Sequence, residues 1–228
     1  MQAIVLAGGL GTRLRSVISD IPKPMAMVHG RPFLAFVLDR LVDCGFTDVV
    51  FATGYRHEVL QGHFGNSYRG LNIAYSVETE PLGTGGAIRL ALDHVGRQNV
   101  FVMNGDTYLE LDFHAMLAAH DSARAVVTVA VCHVPDPARY GTIELHGDIA
   151  QCFIEKGPSG PGWINAGTYI LGPDIRSFFP SAKAFSFERD VMARDIVTIR
   201  PLAFRSYGRF IDIGTPDDYA RAEYMLPR

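Results

Sequence analysis

The amino-acid sequence predicts an α/β fold: three layers, α/β/α, around a mixed and mostly parallel sheet. Two observations carry this. Apolar runs of strand length, such as Ala3 to Leu6, Thr47 to Thr53 and Asn99 to Asn104, alternate with stretches of helical spacing, the order expected when helices cross between parallel strands. Each run is continuously apolar instead of alternating, as strands covered on both faces are. A third observation qualifies the class. From about residue 123 onward the chain becomes β-rich, and a small antiparallel lobe is expected there.

Taken in order, Ala3-Ile4-Val5-Leu6 reads as a buried strand that runs straight into Gly8-Gly9-Leu10-Gly11. Leu34, Val37, Leu38, Leu41 and Val42 then fall at helical spacing, with Gly45 where a C-terminal cap glycine belongs. Thr47 to Thr53 is a second buried strand, followed by a helix around Tyr55 to Phe64 and a strand at Leu71 to Val77. Gly85 to Val95 is helical again, and Asn99 to Asn104 is another buried strand. The β-rich part begins with Ala125 to Val134, Tyr140 to Leu145 and Ile149 to Ile154. Lys156 to Gly162 is the most loop-like segment. Strands at Ala166 to Leu171, Val197 to Pro201 and Arg209 to Ile213 follow. A last helix runs from Pro216 to about Met225, with Thr215 as N-cap, Pro216 at the first helical position and Asp217 and Asp218 in the first turn. Residues 1–228 read as one domain, with halves meeting at about residue 122 and one sheet continuing through both.

Composition excludes several classes. A hydrophobic content of 48% and a charged content of 20% are those of a soluble globular protein. The net charge of -3 and the lack of any basic run argue against nucleic acid as a partner. Phosphate ligands must therefore be met by local cations. The three cysteines, Cys44, Cys132 and Cys152, have no C-x-x-C spacing, which fits neither a disulfide framework nor a zinc site and suggests a reducing compartment. No signal peptide is visible, and no apolar stretch approaches the ~18 residues of a membrane span. A cytoplasmic protein is expected.

The chemistry-bearing residues cluster in a few segments. Leu6-Ala7-Gly8-Gly9-Leu10-Gly11-Thr12-Arg13 can turn sharply and present successive N–H groups to an anion. Arg13 and the proline-flanked Lys23 add cations suited to phosphate. The segment is neither a P-loop, which needs Gly-Lys-Ser/Thr at fixed spacing, nor a dinucleotide fingerprint, whose third glycine is replaced by Leu14. The expectation is a polyphosphate-binding loop at the carboxyl edge of a sheet. Glu78-Thr79-Glu80-Pro81-Leu82-Gly83-Thr84-Gly85-Gly86 is a second glycine-rich loop entering a helix, and two such loops suggest a ligand held between them. Either Glu78 or Glu80 can accept the two N–H donors on the edge of a guanine, since a carboxylate is acceptor-only. Asp106 follows an apolar strand in Asn104-Gly105-Asp106, where open α/β sheets bind ligands. Asp212 lies in the apolar context Phe210-Ile211-Asp212-Ile213, where an unpaired charge is costly. Together these two carboxylates can hold a Mg²⁺ ion. Glu155-Lys156 ends one apolar strand and Asn165-Ala166-Gly167 opens the next.

In this order the motifs closely resemble those of the sugar-phosphate nucleotidyltransferases, also called nucleoside-diphosphate-sugar pyrophosphorylases. The resemblance spans essentially the whole chain: Gly8 to Leu14 with Pro22-Lys23-Pro24, Glu80 to Ala87, Asn104-Gly105-Asp106, Tyr140-Gly141, Glu155-Lys156, Asn165-Ala166-Gly167 and Asp212 to Pro216. Two positions depart from the family's pattern, Gly157 after the lysine and Phe210 before the last aspartate. At this length a C-terminal β-helix domain is not expected. The resemblance implies a Rossmann-like nucleotide-binding half and an antiparallel sugar-binding lobe. It implies that Leu6, Ala7, Gly8, Gly9, Gly11 and Thr12, with Glu78, Glu80, Pro81, Gly83 and Thr84, bind the nucleotide. Arg13 and Lys23 would neutralise its phosphates and Asp106 and Asp212 would bind Mg²⁺. Lys156 would fix the sugar 1-phosphate, with Asn104, Gly141, Glu155 and Asn165 at the sugar.

Within the family the chain most resembles the short bacterial D-glycero-α-D-manno-heptose 1-phosphate guanylyltransferases. The segments carrying this are Met1 to Leu6, Ser16 to Ala26 and Phe210 to Tyr219. The substrates implied are GTP and the heptose 1-phosphate, for a surface-polysaccharide precursor. Mannose 1-phosphate, differing beyond C5, is the nearest alternative sugar, and an amino-sugar or muramic acid 1-phosphate uridylyltransferase is the nearest alternative enzyme. A regulatory subunit that binds nucleotide sugars without turnover could dispense with Arg13, Lys23, Asp106, Lys156 and Asp212, yet all five are present. A homodimer stays open, since buried and exposed apolar positions cannot be told apart in the sequence.

Overall fold

A computed structural model describes residues 1–9, 21–96, 98–138, 140–154 and 160–227. The chain opens with β1 (Gln2–Leu6). A small hairpin, β2 (Met27–Val28) and β3 (Arg31–Pro32), leads into α1 (Phe33–Asp43). There follow β4 (Asp48–Thr53), α2 (His57–Phe64), β5 (Ser67–Tyr68), β6 (Leu71–Val77) and α3 (Gly83–Ala91). Next come β7 (Val100–Asn104), β8 (Thr107–Leu109) and α4 (Phe113–Ala123). The remainder holds β9 (Val127–Val134), β10 (Thr142–His146), β11 (Ile149–Ile154) and β12 (Gly162–Leu171), then α5 (Ile196–Ile199), β13 (Leu202–Ser206), β14 (Phe210–Asp212) and α6 (Pro216–Met225).

Ten of these strands form one sheet in the order β10-β11-β13-β9-β12-β7-β1-β4-β6-β5. The neighbours β7, β1, β4 and β6 are parallel, as the apolar runs predict. The strand β12 is antiparallel to both β7 and β9, and β10 and β11 are antiparallel to each other. A further pairing of β10 with β12 at Thr142 and Ile164 closes β10, β11, β13, β9 and β12 into a barrel-like unit. The expectation of a mostly parallel sheet is therefore corrected: antiparallel neighbours outnumber parallel ones. The cause is connection length. β10 and β11 are joined only by Gly147-Asp148, with Gly147 at φ +60°, and so short a link cannot join parallel strands.

Alternate strand residues serve two cores. Ala3, Val5, Phe51 and Phe101 share one core with the apolar faces of α1, α2 and α4, while Ile4, Val50 and Val102 share the other with Ile88 and Ala91 of α3. Helices thus cover both faces of the central strands. The cap on α1 is as expected: Gly45 has φ +75°, its N–H reaches Val42 O, and Phe46 N–H reaches Leu41 O. The cap on α6 also matches, with Thr215 Oγ1 accepting from Asp218 N–H at 3.3 Å.

The strand expected at Val197 to Pro201 is instead the single helical turn α5, and β13 begins at Leu202. Ile196-Val197-Thr198-Ile199 is β-branched throughout, but the amides of Thr198 and Ile199 both donate to Asp195 O. The turn buries Ile199 and leaves Val197 84% exposed. Tertiary packing overrides a β propensity that was always context-dependent.

Candidate active site

The parallel strands β7, β1, β4 and β6 end at one edge of the sheet in register, Leu6 pairing with both Ala52 and Asn104. Their carboxyl ends open into a cleft of about 990 Å³, at the edge where open α/β sheets bind ligands. Of the nucleotide-binding residues expected from the sequence, Leu6, Ala7, Gly8, Gly9, Glu78, Glu80, Pro81, Gly83 and Thr84 line it, together with Lys23, Asn104, Asp106 and Asp212. Gly141 and Asn165 are not among its lining residues. Gly11, Thr12, Arg13, Glu155 and Lys156 lie outside the described residues.

One end of the cleft carries a three-residue ionic cluster. Lys23 Nζ donates to Asp106 Oδ2 at 2.6 Å and to Asp212 Oδ1 at 3.2 Å. The two aspartates are brought together by antiparallel pairing of β14 with β8, in which Asp212 lies opposite Thr107, and by Ile213 N–H donating to Asp106 O. Lys23 starts a 3₁₀ turn between Pro22 and Pro24, closed by Met25 N–H to Pro22 O. Burial opposes the charge on Lys23, but the two carboxylates outweigh it and hold the ammonium above the ordinary lysine range. Burial and the neighbouring Asp106 push the Asp212 carboxyl up, against the pull of Lys23. Gly214 leaves room for the pair: a Cβ there would lie 3.1 Å from Asp212 Oδ1 and 3.5 Å from Lys23 Nζ.

The other end is built around Glu78. Its N–H continues the sheet by donating to Thr53 O, and its Oε2 accepts from Leu82 N–H at 3.2 Å. The side chain lies along two glycine backbones. A Cβ on Gly54 would meet Glu78 Cγ and Oε1 at 2.7 Å, and one on Gly8 would meet the same oxygen at 3.1 Å. Burial pushes the Glu78 carboxyl up, and the Leu82 N–H opposes this. Glu80 has a different setting: its side chain is 54% exposed and pairs with Lys183. The two glutamates, equivalent in the sequence, are thereby separated.

The glycines of the second loop serve more than one purpose. Gly83, at φ +70°, lines the cleft. All three glycines admit the segment from Lys183 to Phe187, and a Cβ on Gly83 would lie 2.6 Å from Phe185 O. A Cβ on Gly85 would lie 2.2 Å from the Phe185 ring, and one on Gly86 would lie 2.8 Å from Lys183 O. Part of what reads as a ligand loop is thus a packing surface.

Asn104 sits on the backbone of Gly167, where a Cβ would be 2.4 Å from Asn104 Nδ2. Gly167, at φ +67°, lies where the register of β12 with β9 shifts. Asn165 holds that irregularity: its Oδ1 accepts from Gly167 N–H at 3.0 Å and its Nδ2 donates to Tyr169 Oη at 2.7 Å. Gly141 accepts from Asn165 N–H through its carbonyl. Two cleft residues, Gly54 and Tyr55, were not singled out from the sequence. The signal was available, since they directly follow a predicted strand, as Gly8 and Asp106 do.

Residues 2–227 match the family model described as nucleotidyl transferase. The chain is 42% identical over 226 residues to a D-glycero-alpha-D-manno-heptose 1-phosphate guanylyltransferase of Aneurinibacillus thermoaerophilus, covering 99% of this chain and 98% of the relative. It is 41% identical over 221 residues to the protein of the same name from Campylobacter jejuni, covering 96% and 97%. Its fold matches a crystal structure of HddC from Yersinia pseudotuberculosis complexed with GMP-PN, with a TM-score of 0.87, 36% identity and 98% of each chain covered.

Proposed function

Since the chain belongs to the nucleotidyl transferase family, we propose that it transfers the GMP unit of GTP to D-glycero-α-D-manno-heptose 1-phosphate, releasing pyrophosphate. The observation that carries this reading is the placement of the Glu78 carboxylate and the Lys23–Asp106–Asp212 cluster in one cleft. The names of the two full-length relatives support the base and the sugar.

Glu78 accepts from guanine N1–H and N2–H, a match that the mixed edges of adenine and uracil do not offer. The backbone from Leu6 through Gly9, with Gly11 and Thr12, holds base and ribose, and the charges of Arg13 and Lys23 neutralise the triphosphate. Asn104, Gly141, Glu155 and Asn165 shape the sugar end, where Lys156 meets the phosphate. The sugar 1-phosphate oxygen is already an anion and needs no general base. It forms a bond to the α-phosphorus in line as the bond from that phosphorus to the pyrophosphate oxygen breaks. Lys23 stabilises the charge that develops on the phosphoryl oxygens.

The acidic pair suits Mg²⁺. Two hard carboxylates against one ammonium leave a net negative charge, and this ion favours one or two carboxylates plus substrate phosphate oxygens. Asp106 and Asp212 would hold it, and it would supply charge neutralisation at the phosphates. On this reading the reaction runs in the cytoplasm, where nucleoside triphosphates are supplied, and its product feeds surface-polysaccharide assembly.

The test is pyrophosphate release with Mg²⁺, each of GTP, UTP, ATP and dTTP, and a panel of sugar 1-phosphates containing the manno-heptose and mannose. Release with GTP and the heptose phosphate is expected. A preference for UTP with an amino sugar would overturn base and sugar together, and binding of nucleotide sugar without turnover would overturn the transferase reading itself.

A further inference from the structure

The segment from Pro180 to Ala193 lies outside every motif singled out in the sequence, yet it is strapped to the second glycine-rich loop. Phe185 N–H donates to Leu82 O and Gly85 N–H returns to Phe185 O. Arg89 donates to Pro180 O and Lys183 O and lies over the Phe185 ring. The strap ends in a π-helical turn, Glu188–Ala193, a geometry that concentrates at functional sites.

Glu188 opens that turn, and its carboxylate accepts from three hydroxyls. Thr84 Oγ1 and Ser186 Oγ donate to Oε2 at 2.6 and 3.0 Å, and Tyr169 Oη donates to Oε1 at 3.2 Å. Thr84 in turn accepts from Phe187 N–H at 2.9 Å. Tyr169 is 1% exposed, and burial holds its phenol far above the usual range, so it stays neutral and able to donate. It also accepts from Asn165, whose other end fixes Gly167, the seat of Asn104. A chain of hydrogen bonds therefore runs from Thr84 through Glu188, Tyr169 and Asn165 to Gly167, whose backbone packs closely against the Asn104 side chain. Thr84 and Asn104, at its two ends, line the cleft, whereas Glu188, Tyr169 and Asn165 are not among the lining residues.

We propose that Glu188 is a positioning residue that ties the nucleotide wall of the cleft, at Thr84, to the sugar wall, at Asn104. The proposal deepens the transferase reading and rests on it for the names of the two walls. A carboxylate suits this place because all three partners donate to it; glutamine offers one acceptor oxygen and two competing donors. In-line transfer needs the two substrates held at a fixed separation, and small misplacements remote from the reacting atoms are costly.

The test uses Tyr169→Phe, which deletes one buried oxygen outside the cleft, with Glu188→Gln, Thr84→Val and the Thr84→Val/Tyr169→Phe double variant. Two measurements are made on folded protein: calorimetric affinity for a non-hydrolysable GTP analogue with Mg²⁺, and kcat/KM for pyrophosphate release. Tyr169→Phe is expected to weaken the analogue about fivefold and to lower kcat/KM about tenfold or more, on the scale of a modest misalignment. The double variant is expected to be no worse than about the poorer single, because both break one chain. A purely structural role predicts a lower Tm with affinity and kcat/KM within about twofold of the parent, and that result overturns the proposal. Losses that multiply as if independent also overturn it. An inactive parent would instead overturn the transferase reading, and the calorimetric cycle by itself would then decide the positioning role.

Discussion

Replacing Glu78 by glutamine tests how the base is read. The change keeps the shape that lies along Gly8 and Gly54 and keeps one acceptor for Leu82 N–H. It removes the charge and puts a donor where guanine presents donors. Hydrogen bonds to a charged group are worth about 1.5–3 kcal/mol each, and one of the two to guanine is lost outright. GTP affinity should therefore fall by about ten- to a hundredfold, at about 1.4 kcal/mol per decade. The ratio of GTP to UTP use should fall with it, because an amide matches the mixed edge of uracil better. Glu80→Gln, beside Lys183 at the rim, should shift GTP affinity by less than about threefold. The assay is KM for each nucleotide at saturating sugar phosphate. A Glu78→Gln protein with an unchanged GTP preference, or a larger loss in Glu80→Gln, would refute the assignment. The same carboxyl predicts a pH dependence. Its pKa is raised by burial in the folded protein, so the buried charge costs stability once pH rises through the raised value, and that cost vanishes below the ordinary glutamate range. Glu78→Gln should thus match or exceed the parent in stability at pH 7 and lose that advantage on acidification. GTP binding by the parent should follow the opposite sign, weakening as pH falls through the raised value.

The remaining predictions concern the ionic cluster and the glycines. Lys23→Ala should lower turnover by about a hundred- to a thousandfold, the usual cost of removing one preorganised stabiliser of transition-state charge, while the half-buried aspartates left facing each other reduce stability by about 1–3 kcal/mol; turnover within threefold of the parent would remove Lys23 from its role. Asp106→Ala and Asp212→Ala should each shift the Mg²⁺ dependence of pyrophosphate release to higher concentration, and a variant with an unchanged metal titration would not contain a ligand at that position. Gly85→Ala should destabilise the fold by about 1–3 kcal/mol through overpacking against Phe185. Gly9→Ala, with nothing within 4 Å of the added carbon, should leave the unfolding free energy unchanged; chemical denaturation of both variants separates packing glycines from loop glycines.

What was legible in the sequence is what local chemistry decides. The strand at Leu71 to Val77, the strand at Ile149 to Ile154 and the helix from Pro216 to Met225 are found at the expected residues, because apolar runs and cap residues act within a few positions. The direction of the sheet was less legible, since it depends on connections such as the two-residue link after β10. Gly85 and Gly86 show a limit of another kind. A glycine in the first turn of a helix looks the same whether a phosphate or the Phe185 ring occupies the place of the missing Cβ, and only the partner, a hundred residues away, distinguishes the cases.

The cluster at Lys23 carries this furthest. Asp106 and Asp212 are singled out in the sequence by their settings, one after an apolar strand and one inside an apolar run, but neither setting contains the other. They meet because three residues of β14 pair with three of β8, a contact too short to leave a pattern. The same holds for Glu188, which has no apolar strand or glycine turn to mark it and acquires its place only when Thr84, Ser186 and Tyr169 converge on it. Residues at strand ends can therefore be named from sequence as candidates, because the sheet edge is where they must emerge. Which of them act together is decided by strand neighbours and by buried polar partners, and those belong to the fold. A carboxylate that accepts from three hydroxyls across separate elements is costly to leave half satisfied, so the fold that assembles the cleft is constrained at Glu188 as much as at Asp106 and Asp212.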